Sequence, residues 1–164
     1  MHRGRDAVYV EVGGRCVGVV TLAAVAVPCA LRTTLPSLPA GPGATCAEVS
    51  DGVLHLDGAP LVIGRLVDVG VPRLRTEVTS GAPAPGDVAA MVGRGEGLTP
   101  YADDVLSGWL AVHRAAGVAT PEVDAAVRAN LHRTTLLSAT LLDCAMAGEA
   151  VPELAAWLTA PGDA

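Results

Sequence analysis

The chain has 164 residues, 51% of them hydrophobic and 17% charged, and a formal net charge of -6. That length suits one compact domain or two small intimate halves, and the composition excludes extensive disorder. All eleven basic residues are Arg and form no basic stripe, and aromatics are confined to Tyr9, Tyr101, Trp109 and Trp157, so neither duplex nor single-stranded nucleic acid is an expected partner.

Met1 to Asp6 is polar, and the strand-like Val8-Tyr-Val-Glu-Val12 follows where a secretory leader would be apolar. A cytoplasmic location is expected. Cys16, Cys29, Cys46 and Cys144 form no C-x-x-C pair and have no His at ligand spacing, which reads as reduced thiols and no zinc site. The apolar run from Cys16 to Leu31 is broken by Pro28 and falls short of the ~20 residues a spanning helix needs, so no membrane span is expected.

Gly13-Gly14 between Val8–Val12 and Arg15–Val20 signals a hairpin. Pro36 to Gly43 breaks the pattern. Asp51-Gly52 and Asp57-Gly58 flank a short strand at Val53–Leu56, and Leu61–Val69 is a further strand candidate. Thr76 to Asp87, TEVTSGAPAPGD, has the composition of a linker. Beyond it Val105, Leu106, Trp109, Leu110 and His113 follow helical spacing up to Gly117. Thr120-Pro121 opens a second helical stretch that persists to about Ala147, with a bend at Asn130–Thr134 and Gly148 as its stop. A last short helix spans about Pro152 to Thr159. The expectation is an α+β fold: a β-rich N-terminal half (1–75), barrel-like or a sandwich, packed on a C-terminal helical half. Residues 76–92 are the linker, and 93–164 hold a Gly-rich loop and the helices.

The least ordinary stretch is GRGEGLTPYADD, residues 93 to 104. Thr99-Pro100 repeats the helix-start signal, with Thr99 expected as N-cap and Pro100 as first helical residue. The glycines then lie before a helix N-terminus, where free amides and the helix dipole favour an anion. The loop has neither the lysine of a Walker motif nor the glycine spacing of a dinucleotide fingerprint. Asp104, Ser107, Gly108, Ala111 and Ala115 form a stripe of small residues, so Asp104 is expected to face an inter-helix groove. There it could orient a substrate amide, take a proton or hold Mg2+. Asp103 lies 100° around, nearer Leu106 and Leu110. The neighbouring aspartates cannot chelate one ion from the same helix face, and no third ligand is evident, so no cofactor beyond that weak Mg2+ option is expected.

A second polar cluster lies at Arg133-Thr134-Thr135-Leu136-Leu137-Ser138. Thr134 and Ser138 share a helix face. The hydroxyls either bond back to helix carbonyls at the bend or, with Arg133 as a bidentate grip, hold a carboxylate or phosphate. His113, on an apolar face, reads as a core or edge histidine. No Ser-His-Asp or Cys-His arrangement stands out.

Together GxGxGLTPxxDDxLxGxL (Gly93 to Leu110) and RTTxLSAxLLxxAxxGE (Arg133 to Glu149) resemble the AllH-like subunit of oxamate carbamoyltransferase. The resemblance implies a part in interconverting oxalurate plus phosphate with oxamate plus carbamoyl phosphate. It also implies a small anionic metabolite as ligand and other carbamoyltransferase subunits as partners. It carries Gly95, Gly97, Thr99, Asp103, Asp104, Arg133, Thr134, Thr135 and Ser138 forward as site residues, with the two aspartates as the catalytic pair and the others binding the anion. Tyr101-Ala102 stands where the family usually has Ser-Gly, which implies an altered ligand contact. The other reading is a non-catalytic assembly or regulatory subunit whose motifs serve packing.

Overall fold

The computed structural model describes residues 2–38, 46–74, 81 and 83–160. The chain divides into two compact units, Met1–Asp68 and Val69–Ala164.

Among the described residues the first unit contains all the strands. β1 (His2–Arg3), β2 (Ala7–Val12), β3 (Arg15–Val20) and β4 (Ala30–Arg32) form one sheet in that order. β2 and β3 are the expected antiparallel hairpin, with Val12 opposite Arg15. Gly13 and Gly14 both have positive φ, 57° and 79°, as a primed two-residue turn requires. β4 returns parallel to β3. The second sheet is β5 (Ala47–Ser50), β6 (Val53–Leu56) and β7 (Ala59–Pro60), joined by tight turns at Asp51-Gly52 and Asp57-Gly58. Val8, Val10, Val19 and Leu54 pack together, so one face of each sheet contributes to a shared core. The arrangement is sandwich-like. Among the described residues the two sheets do not join, and no barrel closes.

Leu61–Val69 is not a strand. Leu61 donates to the Leu54 carbonyl at 2.8 Å, and the chain then leaves the sheet with Val62 86% and Leu66 88% exposed. An apolar, β-branched run favours extended backbone but does not supply a neighbouring edge to pair with. Pro60, with no N–H, ends β7 just before it.

The second unit is helical: α1 (Pro85–Met91), α2 (Tyr101–Ala115), α3 (Pro121–Asn130), α4 (Leu136–Met146) and α5 (Pro152–Thr159), with a 3-10 turn at Leu131–Arg133 between α3 and α4. The expected bend is that turn, and the glycine stops hold: Gly117 and Gly148 take positive φ of 74° and 81°. Residues 76–92, read as a linker, include α1; 76–80 and 82 lie outside the described residues. Val88 and Val92, four apart, pack with Leu106, Leu110, Val127 and Leu142, an apolar spacing that the Pro/Gly-rich composition hides. Helix α1 thus belongs to the helical core. No helix among the described residues is long and apolar enough to cross a membrane.

One side chain ties the distal end of this unit. Arg114, near the end of α2, donates from Nε to the Met146 carbonyl at 2.8 Å and from Nη1 to the Val118 carbonyl and the Thr120 hydroxyl. Its Nη2 lies 2.7 and 2.6 Å from the two Asp124 carboxylate oxygens. Thr120 therefore serves Arg114 and Asp124, and not the free amides of α3. His113 is buried, stacked on Trp109 at 3.7 Å, and its Nδ1 donates to the Trp109 carbonyl.

Arg114→Ala is expected to lower stability by about 2–4 kcal/mol, because Asp124 and two carbonyls lose their donor in a largely buried setting. Chemical denaturation would measure this. Arg114→Lys should recover only part of the loss, since an ammonium cannot reproduce the fork.

Candidate functional site

The two sequence motifs meet where the chain leaves α1, loops through 93–100 and enters α2. Gly93 turns the chain with φ of 78°, and any Cβ there would collide with the Arg133 carbonyl oxygen. Its N–H donates to Asp103 Oδ1 at 2.8 Å. The other carboxylate oxygen accepts from Thr134 Oγ1 at 2.5 Å and Ser138 Oγ at 2.6 Å. Asp103 is 0% exposed, so one buried carboxylate joins the loop, the first turn of α2 and the start of α4. Each polar partner is satisfied by the others, which is the condition for burying such a group at tolerable cost. Among the described residues no buried side-chain nitrogen or oxygen lacks a partner.

The rest of the loop is held at two more points. The Arg94 carbonyl accepts from Ala102 N–H at 3.2 Å, using one of the free amides of α2. The Leu98 carbonyl accepts from Thr135 Oγ1 at 2.5 Å. Thr135 is also the N-cap of α4, with extended backbone and its Oγ1 accepting from Ser138 N–H at 3.1 Å. At Gly95, φ is 130° and a Cβ would stand 2.7 Å from the Tyr101 amide nitrogen, so the backbone itself rests on the α2 terminus. Residues 94–98 are exposed, and nothing lies within 4 Å of a Cβ placed at Gly97.

Three expectations change here. First, the aspartates exchange places. Asp103 is the inter-helix carboxylate, on the face of Leu106 and Leu110, whereas Asp104 is exposed beside Tyr101 and Val105. The α2–α4 contact follows the large apolar side chains, and Asp103 shares their face at i+3 and i+7. Second, Pro100 occupies the cap position and Tyr101 opens the helix. Pro100 has ψ of 136°, outside the helical region, and its carbonyl accepts from Asp103 and Asp104 N–H. The Thr99 hydroxyl bonds to the Asp104 side chain and does not cap the helix. Third, Arg133, expected as a bidentate grip on an anion, turns its Nη1 to the carbonyl of Ala89 in α1 and to Asn130 Oδ1. A cation near the C-terminal end of a helix is well placed there.

Partial desolvation pushes the Asp104 carboxyl above its ordinary value, and the nearby Asp103 charge adds to the rise; the Thr99 hydroxyl opposes both. Among the described residues no group of three His, Cys, Asp or Glu could hold a metal ion.

The geometry thus defines a helical unit whose two polar motifs form one joint around a buried aspartate. Residues 91–163 match the family model described as oxamate carbamoyltransferase subunit AllH, a span holding both motifs and every residue of the joint. Over that span the chain is AllH-like. Neither the curated proteins nor the solved structures contain a match.

Replacing Asp103 by Ala strands a buried amide and two hydroxyls, and should cost roughly 2–5 kcal/mol of folding stability by urea titration. Replacing exposed Asp104 by Asn acts oppositely. A carboxyl whose folded pKa is raised binds its proton more tightly when folded, so its contribution to stability falls as pH rises through the ordinary carboxylate range and stays unfavourable above it. Asp104→Asn should therefore raise Tm at neutral pH, with the difference from wild type vanishing in acid.

Proposed function

We propose that the chain acts as a subunit or paralogue of an oxamate carbamoyltransferase-type enzyme, working beside other subunits and binding a small carboxylate or phosphate anion at the 95–99 loop. One observation carries this reading. The joint uses up the buried polar groups of both motifs, yet the backbone amides of residues 95–99 have no protein acceptor among the described residues. Those amides lie in an exposed, glycine-flanked loop held at both ends. Preorganised amides of this kind suit the oxygens of a carboxylate or phosphate. Asp104, held by Thr99 at the same edge, would orient an amide nitrogen of oxamate or accept its proton, and its raised pKa favours the second role.

In this reading Asp103, Thr134, Thr135 and Ser138 are positioning residues, and Arg133 steadies α1. A specific observation also supports a purely structural subunit: all five of these side chains are engaged inside the fold. In that case the joint only stiffens a surface used for assembly.

Isothermal titration with phosphate, oxamate and carbamoyl phosphate separates the two. The anion reading expects binding by the wild type. It further expects Asp104→Ala to weaken oxamate about tenfold or more through the lost charged hydrogen bond, while phosphate binding holds or improves as a like charge leaves. A wild type that binds none of the three leaves the assembly role as the function.

A further inference from the structure

We infer that Thr135 is a positioning residue that sets the shape of the ligand loop through one hydroxyl, a role that rests on the anion reading above.

The loop is held unequally at its two ends. At Gly93 the grip is deep: the amide meets a carboxylate that is 0% exposed and is braced by two further hydroxyls. At the other end the Leu98 carbonyl accepts from Thr135 Oγ1, and the next residue, Thr99, reaches only the exposed Asp104 side chain. Between these points lie Gly95 and Gly97, both at positive φ, with no acceptor for the amides there among the described residues. Such a segment has many alternative conformations, and fixing each residue carries an entropic cost worth about tenfold in affinity. The Arg94–Ala102 bond and the close approach of Gly95 to Tyr101 fix the first part of the segment, and the bond at Leu98 sets how many arrangements remain to the amides up to 98.

The same oxygen performs a second task. It accepts from Ser138 N–H as the cap of α4, and Ser138 in turn donates to Asp103. A hydroxyl has one proton and two lone pairs, so it can give to Leu98 while receiving from Ser138. Thr135 thereby links the order of the loop to the first turn of α4. The chemistry also separates the two tasks. An aspartate caps a helix as well as threonine does but, when ionised, has no proton for a carbonyl. A serine keeps both functions.

Backbone 15N relaxation on Thr135→Asp tests the clamp. The variant should melt near the wild-type temperature, because the cap survives, while Gly95 to Leu98 lose order on the fast timescale. Thr135→Ser should match wild type in both respects. Titration with phosphate and carbamoyl phosphate then tests positioning. It uses Thr135→Val, which adds no charge, and should read about tenfold or more weaker binding if at least one loop residue must be reordered. An Asp variant whose loop is as ordered as the wild type overturns the inference, as does a Val variant that binds carbamoyl phosphate with wild-type affinity. Failure of the wild type to bind either probe is a different result: it rejects the anion reading, whereas the relaxation experiment still decides the clamp.

Discussion

The helical unit turns on a carboxylate removed from water. Asp103 accepts one amide hydrogen bond from the loop and two hydroxyl hydrogen bonds from the 134–138 segment, and among the described residues no cation pairs with it. Hydrogen bonds to a charged acceptor are each worth roughly 1.5–3 kcal/mol, against a desolvation cost of several kcal/mol for burying the group. The arrangement is favourable only when complete. Completeness imposes geometry on everything near it: Gly93 must approach the Arg133 backbone, Thr134 must turn out of the 3-10 segment, and Ser138 must sit one turn into α4.

Those demands explain residue choices that look unrelated in the chain. Gly93 has no Cβ because the Arg133 carbonyl occupies that space. Two threonines fall between helices, where β-branching is no handicap, and not within one. Thr135 has extended backbone as the α4 cap, and Thr134 is extended as well. Arg133, which a motif reading assigns to an anion, holds the end of α1 and so keeps the preceding helix against the joint. Around this centre Val88, Leu106, Leu110, Val127 and Leu142 supply a core of aliphatic side chains, and Arg114 closes the opposite end. The polar joint and the apolar core divide the work: the core makes the helices associate, and the directional bonds fix their register and the path of the loop.

Much of this was legible in the chain, for reasons that are local. Tight turns at Gly13-Gly14, Asp51-Gly52 and Asp57-Gly58 depend on which residues tolerate positive φ, and that property belongs to the residues themselves. The same holds for Gly117 and Gly148 as helix stops and for Thr120-Pro121 as a start. The two motifs also pointed to the segment that the family match covers. Helix α1 was hidden because its Pro and Gly lie in the first turn, where they do no harm, while composition counts them as breakers. Leu61–Val69 misled in the other direction, since strand-like residues were present without an edge to pair with.

The sequence by itself determined where the chain turns, where its helices end and which short stretches carry unusual polar groups, because these follow from backbone preferences over a few residues. Only the tertiary structure decided what those polar groups do. Asp103 and Asp104 are adjacent and chemically identical, so no local property separates them. One is buried and the other is exposed because the α2–α4 contact selects a helix face, and that selection depends on residues more than thirty positions away.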